Sequence, residues 1–578
     1  QGYGDIMHGN WITGIKFLDE LRLGNQDELP DNLKNEKANN KYYMLPFLLG
    51  LLGMFYQYRK GKTGKQDFWV VMLLFIMTGI AIIVFLNQTP MEPRERDYAY
   101  AGSFYAYAIW IGLGVLSIWE FLNKKIKNID PRVSAIAVTT VCLFAIPVNM
   151  AAQNWDDHNR HARYATTAHA RNYLNSCAPN AILFTYGDND TFPLWYVQEV
   201  EGVRRDVRVV NLSLLSGSWY IDQMKRKAYE SSGVPISFTH EQYRDGKRDY
   251  VLIRDQFKEG NLKDVMEFVA SDLPQTKLQG YIKELDFIPT RNVILPVDSA
   301  KVIANGTVKP QDADQIVKDL RLHLPMQGLT KSQLMVLDIL STNNWERPVY
   351  FGIGMGSDAY MGLEKYFQLE GAAYRVVPIE TKEAEFYDYG RIDSDILYDN
   401  IMNKFEWGNI KDPKVNIDFF HDQTIAVMKY RNTFLRLAQK LYDEGKQAEA
   451  VAVLDKSLEE IPLYQVPADN SMLFYIPMYY ELGETEKANH LLNELATNNY
   501  QMLKYANSLE PKFANTPSIQ QEERLSIEVI KQLLAFATQA GQKEPAQELQ
   551  DKVLRLYNPS HISPDKPLMK DTADKAGK

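Results

Sequence analysis

The chain has 578 residues, 73 of them acidic and 64 basic, a formal charge of −9, and 45% hydrophobic residues. Single hydrophobic cores stop growing at roughly 250 residues, so one continuous domain is excluded and several modules are expected. An acidic balance without a basic footprint excludes a nucleic-acid partner, which would need lysine and arginine clustered against phosphates.

The chain opens on Gln1 in a polar stretch, with neither an initiator Met nor a signal-peptide pattern, and reads as the C-terminal part of a longer protein. Residues 1–41 form a polar segment. Four mainly apolar stretches follow, at 42–58, 68–86, 103–122 and 133–150, each of the length a helix needs to cross roughly 30 Å of hydrocarbon. They predict an α-helical transmembrane bundle of four spans over 42–150. The loop between the first two spans carries Arg59, Lys60, Lys62 and Lys65, and the loop between the last two carries Lys124, Lys125, Lys127 and Arg132. By the excess of positive charge both are cytoplasmic. The loop 87–102, residues 1–41 and everything after residue 150 then lie outside. In a bacterium this is an inner-membrane protein with a large periplasmic region. Cys142 falls in a span and Cys177 beyond it, so no disulfide is expected between them.

After the bundle, residues 154–174 read as one helix leaving the membrane, with Asn154 as cap and Asp156 and Asp157 in its first turn. ILFTYGDNDTFPLWYVQEVEG and DVRVVNLSLL give a strand, a polar loop, a helix and a second strand, a βαβ pattern. NVILPV and RPVYFGIG read as further strands, with MVLDILSTN a helix before the latter. An extracytoplasmic α/β domain is expected over 151–380, then a connector over 381–424. In residues 425–560 the spacing Gly-x4-Ala recurs at Gly445 and Ala450, Gly483 and Ala488, and Gly541 and Ala546. Each pair lies between amphipathic helical stretches, which predicts a tetratricopeptide-like α-solenoid. Residues 561–578, rich in Lys, Asp and Pro, read as a disordered tail.

Three constellations are chemical candidates. In the outer loop QTPMEPRERDYAYAG, Arg94 and Arg96 match the phosphate of a lipid-linked donor, because guanidinium meets phosphate oxygens bidentately, and Glu95 or Asp97 suits a metal or an acceptor hydroxyl. The same four charges also read as pairing with one another and with headgroups. At the end of the first strand stand Gly187, Asp188, Asn189, Asp190 and Thr191, whose two carboxylates and amide offer oxygen ligands to a divalent cation or hydrogen bonds to a sugar, at the edge where α/β sheets place their ligands. Turn and cap chemistry, in which these residue types bond their own backbone and need no ligand, is the favoured reading. The third is Asp157, His158, His161 and His169, of which Asp157 and His161 have the i, i+4 spacing of a metal face, but His169 lies two turns on, and exposed helix polarity is the better reading. No metal site is therefore assigned.

The stretches TPMEPRERDYAYAGSF, NWDDHNRHARY and APNAILFTYGDNDTFPLWYVQEVEGVRRDVRVVNLSLL resemble a bacterial family of polytopic membrane proteins of unknown function that is similar to protein O-mannosyltransferases of the GT-C class. The resemblance covers about residues 1–380. It implies a glycosyltransferase that takes sugar from a polyprenyl-phosphate donor and modifies an exported protein or glycan acceptor. In that class the catalytic acid sits in the first outer loop, upstream of this chain. The expected partners are membrane lipid, the lipid-linked sugar and an exported acceptor or envelope protein held by the helical repeats. The alternative is a non-enzymatic, membrane-anchored scaffold of cell-envelope assembly that uses those repeats to bind a partner.

Overall fold

The computed structural model describes residues 6–7, 11–88, 96–126, 129–278, 285–381, 389–418 and 424–556. The chain is multi-domain and divides into two compact units. One comprises residues 1–160, 468–480 and 485–578, and the other residues 161–467 and 481–484.

Among the described residues of the first unit three helices, Gly61–Leu86, Asp97–Lys125 and Pro131–His158, are long and apolar enough to cross a membrane. The stretch expected to be the first of four spans is a helix of 15 residues, Leu45–Arg59. At 1.5 Å per residue it is about 22 Å long, short of a full hydrocarbon crossing. Helix Leu45–Arg59 runs parallel to helix Ala101–Lys125: Gly50 meets Tyr107, Gly53 meets Trp110, and the Tyr56 hydroxyl donates to Glu120 Oε1 at 2.5 Å. A Cβ on Gly53 would sit 1.8 Å from the Trp110 carbonyl oxygen, so the two backbones touch. Small residues permit this approach in apolar bundles, where close packing replaces the hydrophobic effect. Helix Gly61–Thr78 runs the opposite way, with Phe75 at 5.8 Å from Trp110 and Thr78 against Gly102. The next helix also descends: Trp119 Nε1 donates to the Pro131 carbonyl at 3.1 Å and Ser134 Oγ to Asn123 Oδ1 at 2.9 Å. A π-helical turn at Phe144–Val148 absorbs Pro147 without ending that helix. At its far end Asn154 Nδ2 donates to the Tyr42 hydroxyl at 2.5 Å, and the Lys41 N–H to Gln153 Oε1 at 3.0 Å. The start of the first helix and the end of the last therefore stand side by side.

Residues before the bundle pack on helices near the C-terminus. Met7 and Leu29 join Met502, Tyr505, Leu509 and Ile519 in one apolar cluster. Around it Gln501 Nε2 donates to Asp31 Oδ2 at 2.7 Å, and Lys504 pairs with Glu28 at 2.6 Å. Residues 424–556 are helical, with Thr424–Asp443 and Gln447–Glu460 in the second unit, followed by Met472–Glu481, Thr485–Ser508, Pro517–Gln539 and Lys543–Leu556. Their turn glycines Gly445, Gly483 and Gly541 have φ of +76°, +81° and +70°, the left-handed region that favours glycine at a helix end.

The second unit is built on a mixed six-stranded sheet. Its order is Arg391–Ile392, Phe367–Leu369, Ala373–Val376, Val349–Gly352, Ile182–Thr185, Arg208–Asn211. Strand Ile182–Thr185 lies between two parallel neighbours, with Ile182 opposite Val349 and Arg208. The βαβ pattern is therefore present, and the strand is buried at every position, as a central parallel strand must be. Helix Lys331–Asn343 feeds Val349–Gly352 and is almost wholly buried. Strand Asn292–Pro296, by contrast, belongs to a separate three-stranded sheet with Gly260–Asn261 and Asp319–His323.

Two local expectations are corrected. The predicted helix over 154–174 is two helices, Asn149–His158 and Ala165–Asn175. Between them Asn159 is extended, Ala162 has φ +57°, and the Tyr164 N–H donates to the Gly408 carbonyl at 3.2 Å, so the chain leaves the helical path. The GDND stretch is the first turn of helix Gly187–Glu199 rather than a loop.

Candidate functional site at the carboxyl edge of the sheet

Of the outer-loop candidates, Arg94 and Glu95 lie outside the described residues. Arg96 and Asp97 are exposed and adjacent, at the start of the 3-10 turn Asp97–Tyr100 that leads into helix Ala101–Lys125. The Ala99 N–H donates to the Arg96 carbonyl at 2.9 Å, and the Tyr100 hydroxyl to Gln88 Oε1 at 3.4 Å. Gly79, where helix Gly61–Thr78 gives way to Ile80–Leu86, packs against Ser103 nearby. An exposed guanidinium at the mouth of an apolar bundle is suited to a phosphate oxygen.

Asp188, Asn189 and Asp190 belong to the second unit, a different body from Arg96 and Asp97. Strand Ile182–Thr185 ends at Tyr186, and Gly187, at φ +75°, makes the sharp entry into the helix. Buried polar side chains tie that entry to two strands. Thr191 Oγ1 donates to the Gly187 carbonyl at 2.7 Å and lies 2.7 Å from Thr185 Oγ1. Asn211 Nδ2, at the end of the neighbouring strand, donates to the same carbonyl at 3.0 Å and to Thr191 Oγ1 at 2.8 Å. The Asn211 N–H in turn donates to the Tyr220 hydroxyl at 2.9 Å; burial pushes that hydroxyl up to about 12. With the turn fixed from beneath, Asp188 and Asn189 stand at the surface and Asp190 is half-buried. Carboxylates in a helix's first turn are stabilised by the unpaired N–H groups there, and the Asn189 N–H donates to Asp188 Oδ1 at 3.0 Å.

The third parallel strand closes the edge. The Tyr360 hydroxyl donates to the Gly352 carbonyl at 2.8 Å, and Tyr173 packs so tightly on Gly352 that a Cβ there would sit 1.6 Å from the Tyr173 oxygen. Tyr173 is fully buried, and burial, with the Asp190 carboxylate next in effect, raises its hydroxyl well above the ordinary tyrosine range. Deeper in the sheet, Tyr350 donates to Glu370 Oε2 at 2.5 Å and Gln368 Nε2 to Glu370 Oε1 at 2.7 Å, with Arg375 at 3.7 Å. Desolvation brings the Arg347 guanidinium down to about 10, while it holds the Asn180, Ser232 and Ala181 carbonyls. These groups hold the sheet together and face no solvent.

The histidine candidates separate. His158 Nδ1 is 2.8 Å from Asp157 Oδ1 at the end of its helix, and His161 lies beyond the helix break. His169, expected on an exposed face, is buried, with Nδ1 2.8 Å from the Tyr430 hydroxyl. Among the described residues no group of three or more His, Cys, Asp or Glu side chains is placed to hold a metal ion.

Thr191 belongs to the constellation singled out in the sequence, but sequence reasoning missed Thr185 and Asn211, which complete the brace beneath the edge, and it missed an exposed aromatic stripe on helix Gly187–Glu199. Phe192 and Tyr196 are about half exposed, at 52% and 49%, and Trp195 stacks on Phe192 with ring centroids 5.4 Å apart. The signal was in FPLWY itself, five consecutive bulky residues of which one helix face can bury only some.

No curated protein and no solved structure matches this chain. Residues 166–396, which carry the whole six-stranded sheet, match the family model described as TMEM260-associated domain 2.

Proposed function

We propose that this chain is the C-terminal part of a membrane glycosyltransferase that moves sugar from a polyprenyl-phosphate donor to an exported protein or glycan acceptor. The observation that carries this reading is a TMEM260-associated domain, at 166–396, following directly on a set of membrane-length helices. The resemblance of the TPMEPRERDYAYAGSF stretch to protein O-mannosyltransferase-like proteins supports it. In this reading Arg94 and Arg96 neutralise the departing lipid phosphate as negative charge develops on it, and the catalytic acid comes from the part of the enzyme preceding this chain. The domain at 166–396 and the helical hairpins, read as a tetratricopeptide-like solenoid, recruit acceptors.

The same reading puts four crossings in an inner membrane, with both the N-terminal segment and the large C-terminal region in the periplasm. Alternating helix directions support this, as do the lysines at one end of the bundle and the packing of Leu29 on Leu509, which needs residues on either side of the bundle to share a compartment. The short first helix then crosses with the polar ends around Tyr42 and Lys60 helping to thin the local bilayer.

The test is full-length protein, carrying Arg94→Gln and Arg96→Gln, incubated with polyprenyl-phosphate mannose and an envelope extract. Transfer is expected to disappear at unchanged membrane abundance; unaltered transfer would remove the donor-site assignment. The hairpins favour a second reading, a non-enzymatic envelope scaffold, which predicts no transfer by the unsubstituted protein either.

A further inference from the structure

We propose that the exposed aromatic face of helix Gly187–Glu199 is a docking surface for a basic peptide segment of a partner protein. The helix already has a core face, formed by Thr191, Leu194, Val197 and Gln198, all buried. Its aromatic residues on the other side are therefore surplus to the packing of the domain. At 100° per residue, Asp188, Phe192, Trp195, Tyr196 and Glu199 fall within an arc of about 100°, one continuous stripe. Phe192 and Trp195 stack at an interplanar angle of 23°, which makes a nearly flat platform. Asp188 and Glu199 close its two ends, eleven residues or about 16 Å apart, and the helix contains no lysine or arginine.

Aromatic faces attract cations through their quadrupole, and carboxylates at both ends add charge of the matching sign. The edge of this surface already uses that chemistry. The Tyr229 hydroxyl donates to Glu199, the Arg205 guanidinium lies 4.9 Å over the Tyr229 ring, and Arg205 pairs with Glu230 at 3.0 Å. A segment with lysines or arginines spaced along an extended chain would repeat the arrangement across Phe192, Trp195 and Tyr196. A lipid surface fits less well, because Asp188 and Glu199 lie in the stripe itself and would be desolvated or repelled by anionic headgroups.

The inference deepens the proposed recruitment of exported acceptors and rests on it, so peptide binding and sugar transfer are read separately. The probe is a fluorescent ten-residue peptide alternating Arg and Lys with Ser and Gly, with a Glu-for-cation counterpart, titrated by anisotropy against the full chain in neutral detergent. The basic peptide is expected to bind, to weaken as salt rises, and to lose about tenfold in affinity in each of two variants, Phe192→Ser with Tyr196→Ser and Asp188→Asn with Glu199→Gln. Unchanged thermal stability of these surface variants shows that the fold is kept. Equal binding of the acidic peptide, or unchanged binding of the basic one in both variants, would overturn the proposal. So would salt-insensitive binding of a neutral oligosaccharide at this face in place of the peptide. Loss of peptide binding by the Phe192→Ser with Tyr196→Ser variant, with its transfer to a small free acceptor intact, would support the docking surface and leave the transferase reading standing.

Discussion

Gly352→Ala should destabilise the second unit, and Tyr173→Phe should take back part of that loss. The added methyl would sit 1.6 Å from the Tyr173 oxygen and 2.9 Å from its Cζ, where ordinary contact needs more than 3 Å. Neither side can give way cheaply. Gly352 is in a strand hydrogen-bonded on both sides, to Ile182–Thr185 and Ala373–Val376, and Tyr173 is fully buried. Overpacking of this kind typically costs about 1–3 kcal/mol. Among the described residues the Tyr173 hydroxyl has no hydrogen-bond partner, and an unsatisfied buried hydroxyl carries a desolvation cost of about 1–3 kcal/mol, so removing it alone should be neutral or stabilising. Removing it also deletes the nearest clashing atom, so the double variant should be more stable than the sum of the singles by about 1 kcal/mol or more. Thermal melting of the full chain in detergent, followed by protease resistance of the 161–467 unit, measures this, at roughly 2–4 °C per kcal/mol for a domain of this size. Additive effects, or a Gly352→Ala protein as stable as the parent, would refute the packing at this edge.

In the bundle, Gly53→Leu would drive a side chain into the Trp110 carbonyl, 1.8 Å from the first added carbon; it should split the pair of parallel helices and give aggregated protein on size-exclusion chromatography, whereas Gly112→Leu, which meets nothing, should not. Asp338 is fully buried and accepts from the Ser237 N–H at 2.7 Å and hydroxyl at 2.5 Å, yet burial raises its carboxyl above the ordinary 3.8. The folded state thus holds a proton that the unfolded state releases, so this group's contribution is full below pH 3.8 and is lost as pH rises through the folded value. Asp338→Asn should accordingly flatten the fall in melting temperature above about pH 4, measured against the parent across that window. Leu29→Asp would put a charge into the cluster with Leu509 and Tyr505; the N-terminal segment should detach and trypsin should cut at Lys34 and Lys37 faster, by mass spectrometry of timed digests.

The elements that were legible in the sequence are those whose cause is local. Apolar length alone marks the three membrane-length helices. The buried run Ile182–Thr185 reads as a strand because both its faces are covered, and Gly445, Gly483 and Gly541 betray hairpins because their backbone conformation excludes most other residues. What was misread depends on distant partners. The break after His158 is held by Gly408, and His169 is buried by Tyr430, 261 residues further on. GDND read as a loop because the residues that cap a helix also build turns, and only the Asn211 brace from the next strand decides between them. Asn292–Pro296 is legible as a strand, but its place in a separate three-stranded sheet is not, because alternation fixes a strand and not its neighbours. The aromatic stripe is not legible in the sequence because helical spacing separates the faces of Gly187–Glu199 without showing which of them the sheet covers.

The most direct test of the account is the side of the membrane on which each part lies. Single cysteines at the exposed positions Asn35, Lys62 and Asp188 can be probed in intact spheroplasts with a membrane-impermeant thiol reagent, the buried Cys177 and the partly covered Cys142 setting the background. Positions 35 and 188 are predicted to label from outside and position 62 only after the membrane is broken. Labelling of 62 together with 188, or of only one of 35 and 188, would contradict a bundle that crosses an even number of times and holds the candidate site beyond the outer surface.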